Sequence, residues 1–304
     1  MFKDIPETLA SLKNQKYITT KQVATVLYLA EKLGKPILVS GPPGVGKTEI
    51  AKMVSQALDL ELIRLQCVEG IDKYSAIAEF NYGKQILFTQ ILRDKVSDII
   101  KDVSILESVR ELSKPEHNFF SEEFLIERPL LKAINSTERK VLLIDEIDRA
   151  DVEFEAFLLE LLSDFQISIP ELGTIKAKSI PYVILTSNDT REISDALKRR
   201  CLHLFIDYPS KETEREIISL KVENIDRKLA DFVANVLNSI RKLDLKKKPS
   251  VGESLDWART LLLLSGGGEK IERSMVTDSL GVLIKYQGDI ETVSRNMTSI
   301  LGVV

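Results

Sequence analysis

The chain has 304 residues, 44% hydrophobic and 29% charged, which is enough to bury a full α/β core with a smaller unit beside it. Its 42 basic and 46 acidic side chains leave a net charge of −4 with the signs well mixed, which excludes a global basic field for nucleic acid or anionic membrane. Two cysteines (Cys67, Cys201) and two histidines (His117, His203) form no ligand-spaced cluster, which argues against a disulfide framework, a zinc site or a Ser-His-Asp triad and fits a reducing cytoplasm.

In chain order, no apolar leader follows Met1-Phe2-Lys3-Asp4, and no segment approaches the roughly 18 apolar residues of a membrane span. Residues 21–33 place Val23, Val26, Leu27, Ala30 and Leu33 on one helical face, with Gly34 as a C-terminal cap. Pro36–Ser40 is a short apolar run that predicts a buried strand. It feeds Gly41-Pro42-Pro43-Gly44-Val45-Gly46-Lys47-Thr48, a match to G-x-x-x-x-G-K-[ST], and a helical pattern follows through Ile50, Met53, Val54, Ala57 and Leu58. In that setting the loop's N–H groups converge on phosphates at a helix N-terminus, where the dipole also favours negative charge. Lys47 would neutralise phosphate charge and Thr48 would ligate Mg²⁺.

Leu60–Leu65 predicts a second strand, and residues 70–140 form a long, mostly helical insert. Within it, residues 122–134 are expected to be a loop entering a helix, with Pro129 at the helix start. Val141-Leu142-Leu143-Ile144 then predicts a strand buried on both faces, ending in Asp145 and Glu146 at its carboxyl end, where open α/β sheets bind ligands. Asp145 suits a Mg²⁺ shell and Glu146 suits activation of a water. Val152–Phe165 carries an apolar stripe, residues 165–177 predict a hairpin with an exposed tip at Pro170–Gly173, and Tyr182–Asn188 and Leu202–Ile206 predict two further strands. Strands alternating with helices imply a parallel sheet. From Pro209 the pattern is helical only, at roughly 210–222, 227–241, 252–264, 272–285 and 288–300. The expected domains are therefore an α/β core over 1–209 and a helical lid over 210–304. The run from Arg241 to Pro249 is expected to be a solvated helix end and linker.

The order of loop lysine, Asp-Glu strand, strand-terminal asparagine, arginine pair and helical lid resembles the AAA+ ATPases. Within them it looks like the MoxR group and most of all its CoxD-type members. Asp145-Glu146-Ile147-Asp148-Arg149-Ala150, Leu185-Thr186-Ser187-Asn188-Asp189, Arg199-Arg200-Cys201-Leu202-His203, Ile206-Asp207-Tyr208-Pro209 and Ser254-Leu255-Asp256-Trp257-Ala258-Arg259 carry the resemblance. It implies a P-loop NTPase sheet in the order 5-1-4-3-2 with a helical lid, ATP and Mg²⁺ as ligands, and rings, usually hexamers, with sites between subunits. Asn188 matches the sensor that orients the attacking water, and Arg200 matches an arginine finger for a neighbour's site, with Arg199 its close competitor. Arg149 is a further candidate for contact between subunits. The lid departs from the pattern: Ser250-Val251-Gly252-Glu253-Ser254 stands where many relatives carry a lid arginine, and Arg259 comes later in the same expected helix.

The function so implied is ATP-driven remodelling that matures or activates a partner protein or metalloenzyme complex, with a von Willebrand A-domain adaptor. A nucleic-acid motor or loader and a nucleotide-gated scaffold with little turnover are the alternatives. The sequence leaves ATP and GTP undistinguished.

Overall fold

The computed structural model describes residues 2–87, 90, 124–169, 172–266 and 271–302. Its centre is a five-stranded sheet of β1 (Ile37–Ser40), β2 (Leu62–Gln66), β3 (Val141–Asp145), β4 (Tyr182–Ser187) and β5 (Leu202–Phe205), all paired in parallel. They lie side by side as β2-β3-β4-β1-β5, which is the order 5-1-4-3-2 expected from the resemblance.

The middle strands are continuous apolar runs because both faces are covered: Val141–Ile144 and Ile184–Leu185 are wholly buried. Each such side chain contributes about 2 kcal/mol by leaving water, so the strands that end at the functional residues are the best anchored part of the core. One face packs on helix α1 (Lys21–Leu33), which ends as expected at Gly34 with φ +62°, and on α2 (Lys47–Leu58), the helix that follows the loop. The other face packs on the helix Pro129–Asn135 and on α3 (Val152–Asp164).

Two small antiparallel pairs stand outside the sheet. Gln166–Ile169 with Gly173–Lys176 is the expected hairpin; Pro170 and Glu171 of its tip lie outside the described residues. Ala78–Phe80 with Leu125–Glu127 replaces part of the loop expected over 122–134, because Leu125-Ile126-Glu127 is too short to announce itself by alternation. Pro129 does open the next helix, at its first turn. About half of the expected insert, His117 included, lies outside the described residues.

After α4 (Asp195–Arg200), every element beyond β5 among the described residues is helical, beginning with α5 (Lys211–Lys221), α6 (Arg227–Arg241) and α7 (Val251–Leu264). These close on a separate apolar core around Trp257, which is fully buried and whose indole N–H donates to Ser279 Oγ at 2.8 Å. That serine also interrupts the single helix expected over 272–285, leaving Arg273–Asp278 and Leu280–Leu283. The helix expected over 288–300 is likewise two pieces, Gln287–Arg295 and Met297–Gly302. Arg241 corrects another expectation. It is only 8% exposed and forms an ion pair with Glu214, donates to Pro249 O at 3.0 Å and stacks over Tyr208, so Arg241 is buried, while Lys242 and Lys246–Lys248 after it are exposed as expected.

Candidate active site

The loop Gly41–Thr48 leaves the carboxyl end of β1 and enters α2. Gly41 has φ +143°, and a Cβ there would stand 1.9 Å from Ile206 O, so only glycine fits between the loop and the segment after β5. Lys47 is nearly buried, and its ammonium donates to Gly41 O (2.6 Å) and Pro42 O (2.7 Å) across the loop. Burial lowers its pKa, against the opposing field of Asp148, Asp189, Asp145 and Glu146.

Next to it, Thr48 Oγ1 lies 3.0 Å from Asp145 Oδ1. Asp145 is 1% exposed and also accepts from Thr186 Oγ1 (2.5 Å) and from Arg64 through Nε (3.0 Å) and Nη2 (2.6 Å). Hydroxyl and carboxylate oxygens are the hard donors that Mg²⁺ prefers, so the Thr48–Asp145 donor set fits the ion. Among the described residues no three Asp, Glu, His or Cys side chains could hold a metal by themselves. A bound Mg²⁺ would therefore share Thr48 and Asp145 with phosphate oxygens, the usual arrangement for an ion that keeps few protein ligands.

Glu146 follows β3 in the left-handed region (φ 55°, ψ 52°), where the chain turns into a short 3₁₀ helix, Ile147–Arg149. Its amide donates to Thr186 Oγ1 at 2.9 Å, which ties the turn to β4. Its carboxylate accepts from Asn188 Nδ2 (3.2 Å) and Gln66 Nε2 (3.1 Å) and forms an ion pair with Arg149, whose Nε lies 2.9 Å away. Arg149 is thereby occupied within its own subunit. Asp148 braces Asn188 from below, accepting from the amides of Asn188 (3.2 Å) and Thr190 (3.0 Å) and from Thr190 Oγ1 (2.5 Å). Burial opposes its ionisation, but the Thr190 and Asn188 hydrogen bonds outweigh that and hold its carboxyl below the usual range.

The loop, Thr48, Asp145, Glu146 and Asn188 thus converge, while Arg200 does not join them. It ends α4, where it donates to Ser163 Oγ and Ala196 O, two residues before Leu202 pairs with Ile37 at the start of β1. The loop sits at the other end of β1. Arg199 is exposed alongside. Arg259 does not face the loop either: it pairs with Asp256 on its own helix, eight residues beyond the point where α7 meets the loop, about 12 Å along the axis. That meeting point is Val251 N donating to Gly44 O at 3.1 Å, with Ser250 packed on Gly44.

Sequence reasoning missed a cavity of about 400 Å³ beside the loop, walled by Tyr17, Ile18, Val45, Tyr208, Ile217 and Val251. Its walls come from five separate places in the chain, so no local pattern marks it; Tyr208-Pro209 is the one stretch that the resemblance had singled out. A planar, mostly apolar ring suits such a site. Arg64, Gln66 and Thr186 were also missed, since an alternating strand residue gives no sign of the acid it meets.

Residues 37–208, more than half of the chain, match the ATPase family associated with various cellular activities, AAA. The chain belongs to the AAA ATPase family. Over 291 residues, 88% of this AAA ATPase and 73% of the relative, it is 25% identical to the gas vesicle ATPase GvpN of Haloferax mediterranei. It is 24% identical to an uncharacterized protein of Staphylococcus haemolyticus, over 84% of this chain and 86% of that one. Among solved structures, a mutant of Thermotoga maritima RuvB superposes with a TM-score of 0.50 at 18% identity, covering 92% of this chain and 75% of that one, a likeness of fold.

Proposed function

We propose that this AAA ATPase hydrolyses ATP at a site shared between subunits of a ring and uses the cycle to remodel a partner protein, in the manner of the MoxR group and its CoxD-type members. The observation that carries the hydrolytic part is the placing of Glu146: fixed by a turn in the left-handed region, hydrogen-bonded to Asn188, and adjacent to the Thr48–Asp145 pair beneath the phosphate loop. In this reading the loop N–H groups and Lys47 hold the β- and γ-phosphates, the cavity beside them holds the adenine, Asn188 orients a water and Glu146 takes its proton. Mg²⁺, held by Thr48 and Asp145, supplies charge neutralisation on the phosphates.

Arg200 supports the shared site, because its place at the far end of β1 leaves a neighbour's phosphate as the one it could serve. Arg199 remains its competitor for that role. The division into a core over 1–209 and a lid over 210–304 is part of the proposal, with the Val251–Gly44 contact as the joint. Similarity to GvpN over most of the chain supports a MoxR-like role; a hexamer, a von Willebrand A-domain adaptor and a metalloenzyme client follow from the same family reading, and a cytoplasmic location from the two unpaired cysteines. No described helix is long and apolar enough to cross a membrane.

The test is ATP turnover measured against protein concentration, beside sizing of the assembled species. Turnover per subunit should rise as rings form. Absence of both hydrolysis and assembly would sink the proposal, and salt-dependent stimulation by DNA would favour a nucleic-acid motor instead.

A further inference from the structure

The buried carboxylate of Asp145 has more partners than a metal ligand needs. Its two oxygens offer about four lone-pair sites. They meet Thr48 Oγ1 (3.0 and 3.2 Å), Thr186 Oγ1 (2.5 Å), and Arg64 through Nε (3.0 Å) and Nη2 (2.6 Å), the last two both on Oδ2. With Arg64 in place these sites are all engaged, and a cation reaches the carboxylate only by displacing one of the partners. Arg64 and Gln66 share one side of β2, the side from which Asp145 and Thr48 are reached, while Ile63 and Leu65 point into the opposite core. The pair is also asymmetric: the Asp145 side chain is 2% exposed and that of Arg64 is 49% exposed.

The geometry points to Arg64 as a resident counter-cation of Asp145 that competes with the divalent ion for this carboxylate, so that the ease with which the guanidinium withdraws sets metal affinity. The inference rests on the ATPase reading above and deepens it. A buried carboxylate without a positive partner is costly, so Asp145 needs one whether or not nucleotide is bound. Lys47 is turned to the loop carbonyls, which leaves Arg64 to fill that role. Because the guanidinium is half exposed, it can swing out with little desolvation to reverse, but only when another cation takes over the charge. Its withdrawal also removes a hydrogen bond to Gln66 Oε1, the residue whose amide holds Glu146, so exchange at Asp145 loosens the grip on the neighbouring acid.

The experiment uses the full chain with a non-hydrolysable ATP analogue and Mn²⁺ as the paramagnetic probe, read by electron paramagnetic resonance. Arg64→Met and Arg64→Lys are compared with the parent, with circular dichroism as the check on folding. The half-saturating Mn²⁺ concentration should fall about five-fold in Arg64→Met, the scale of a partly exposed ion pair, and by less in Arg64→Lys, which keeps the charge but not the paired donors. An unchanged or raised half-saturation in Arg64→Met, with the analogue still bound, would overturn the Arg64 assignment and leave the ATPase reading standing. Failure of the parent to bind the analogue would overturn both.

Discussion

Glu146 and Asp148 follow the end of β3 with different partners, Glu146 facing Asn188 and Gln66 and Asp148 holding the turn at Asn188 and Thr190. Glu146 occupies the left-handed region at a cost of about 1 kcal/mol for a residue with a Cβ, a conformation that persists because Thr186 and Asn188 hold both its amide and its carboxylate. If it is the base, Glu146→Gln should retain ATP binding and lose turnover by a hundredfold or more, on the order of what general bases contribute. Lys47→Ala should lose both, as read by equilibrium binding of a fluorescent analogue beside phosphate release. Asp148 accepts three hydrogen bonds, so Asp148→Asn should destabilise the fold by about 2 kcal/mol at pH 7. Its folded pKa is lowered, so the stabilisation is fully present above the unfolded carboxylate value near ~4 and is lost as pH falls through the folded value. Chemical denaturation of parent and Asp148→Asn should therefore show a gap at pH 7 that narrows as pH falls below the usual carboxylate range; a constant gap would mean that the aspartate's charge is not what matters. Asp145, Glu146 and Asn188 were legible because they end apolar strands. Arg64, Gln66 and Asp148 were not assigned roles, because their partners lie 40 to 81 residues away.

Among elements, α7 meets the phosphate loop directly, with no arginine at the start of that helix. Ser250 caps α7 in a full capping box with Glu253 and, from the same position, packs against Gly44, while Val251 N bonds Gly44 O. Gly44 has φ +79° and a Cβ there would stand 2.3 Å from Ser250 Cβ; Gly46 has φ +97° with nothing within 4 Å. Alanine at either site costs about 1–2 kcal/mol of backbone strain, but only Gly44→Ala also forces the lid helix off the loop. Gly44→Ala should thus weaken nucleotide binding more than Gly46→Ala does. Adding Ser250→Gly, tolerable at an N-cap, should restore much of the difference in a double-mutant cycle. Zero coupling between the two positions would show that the lid does not bear on the loop. Sequence pattern located every strand of the main sheet, most of them by short apolar runs, and the helices at 21–33 and 227–241 by their long periodic faces. It merged the short lid helices around Ser279 and Asn296, where the interruption comes from packing and not from glycine or proline.

For the molecule as a whole, the separation of Arg200 from its own loop matters more than any single contact. β1 runs parallel to β5 with Ile37 opposite Leu202, so the strand itself stands between the arginine and the Gly41–Thr48 loop. If catalysis needs both Glu146 and an arginine, each subunit contributes half of two different sites, and defects in the two halves should complement in trans. Glu146→Gln and Arg200→Ala should each be nearly inactive alone. Mixed in equal amounts and allowed to exchange, they should recover about a quarter of parent turnover, since random pairing places an intact Glu146 site against an intact Arg200 at one interface in four. Recovery should vanish when the two are mixed below the concentration at which rings form. If Arg199 is the finger, Arg200→Ala keeps its activity and Arg199→Ala takes its place in the mixture. Absence of complementation by either arginine variant would leave the site complete within one subunit.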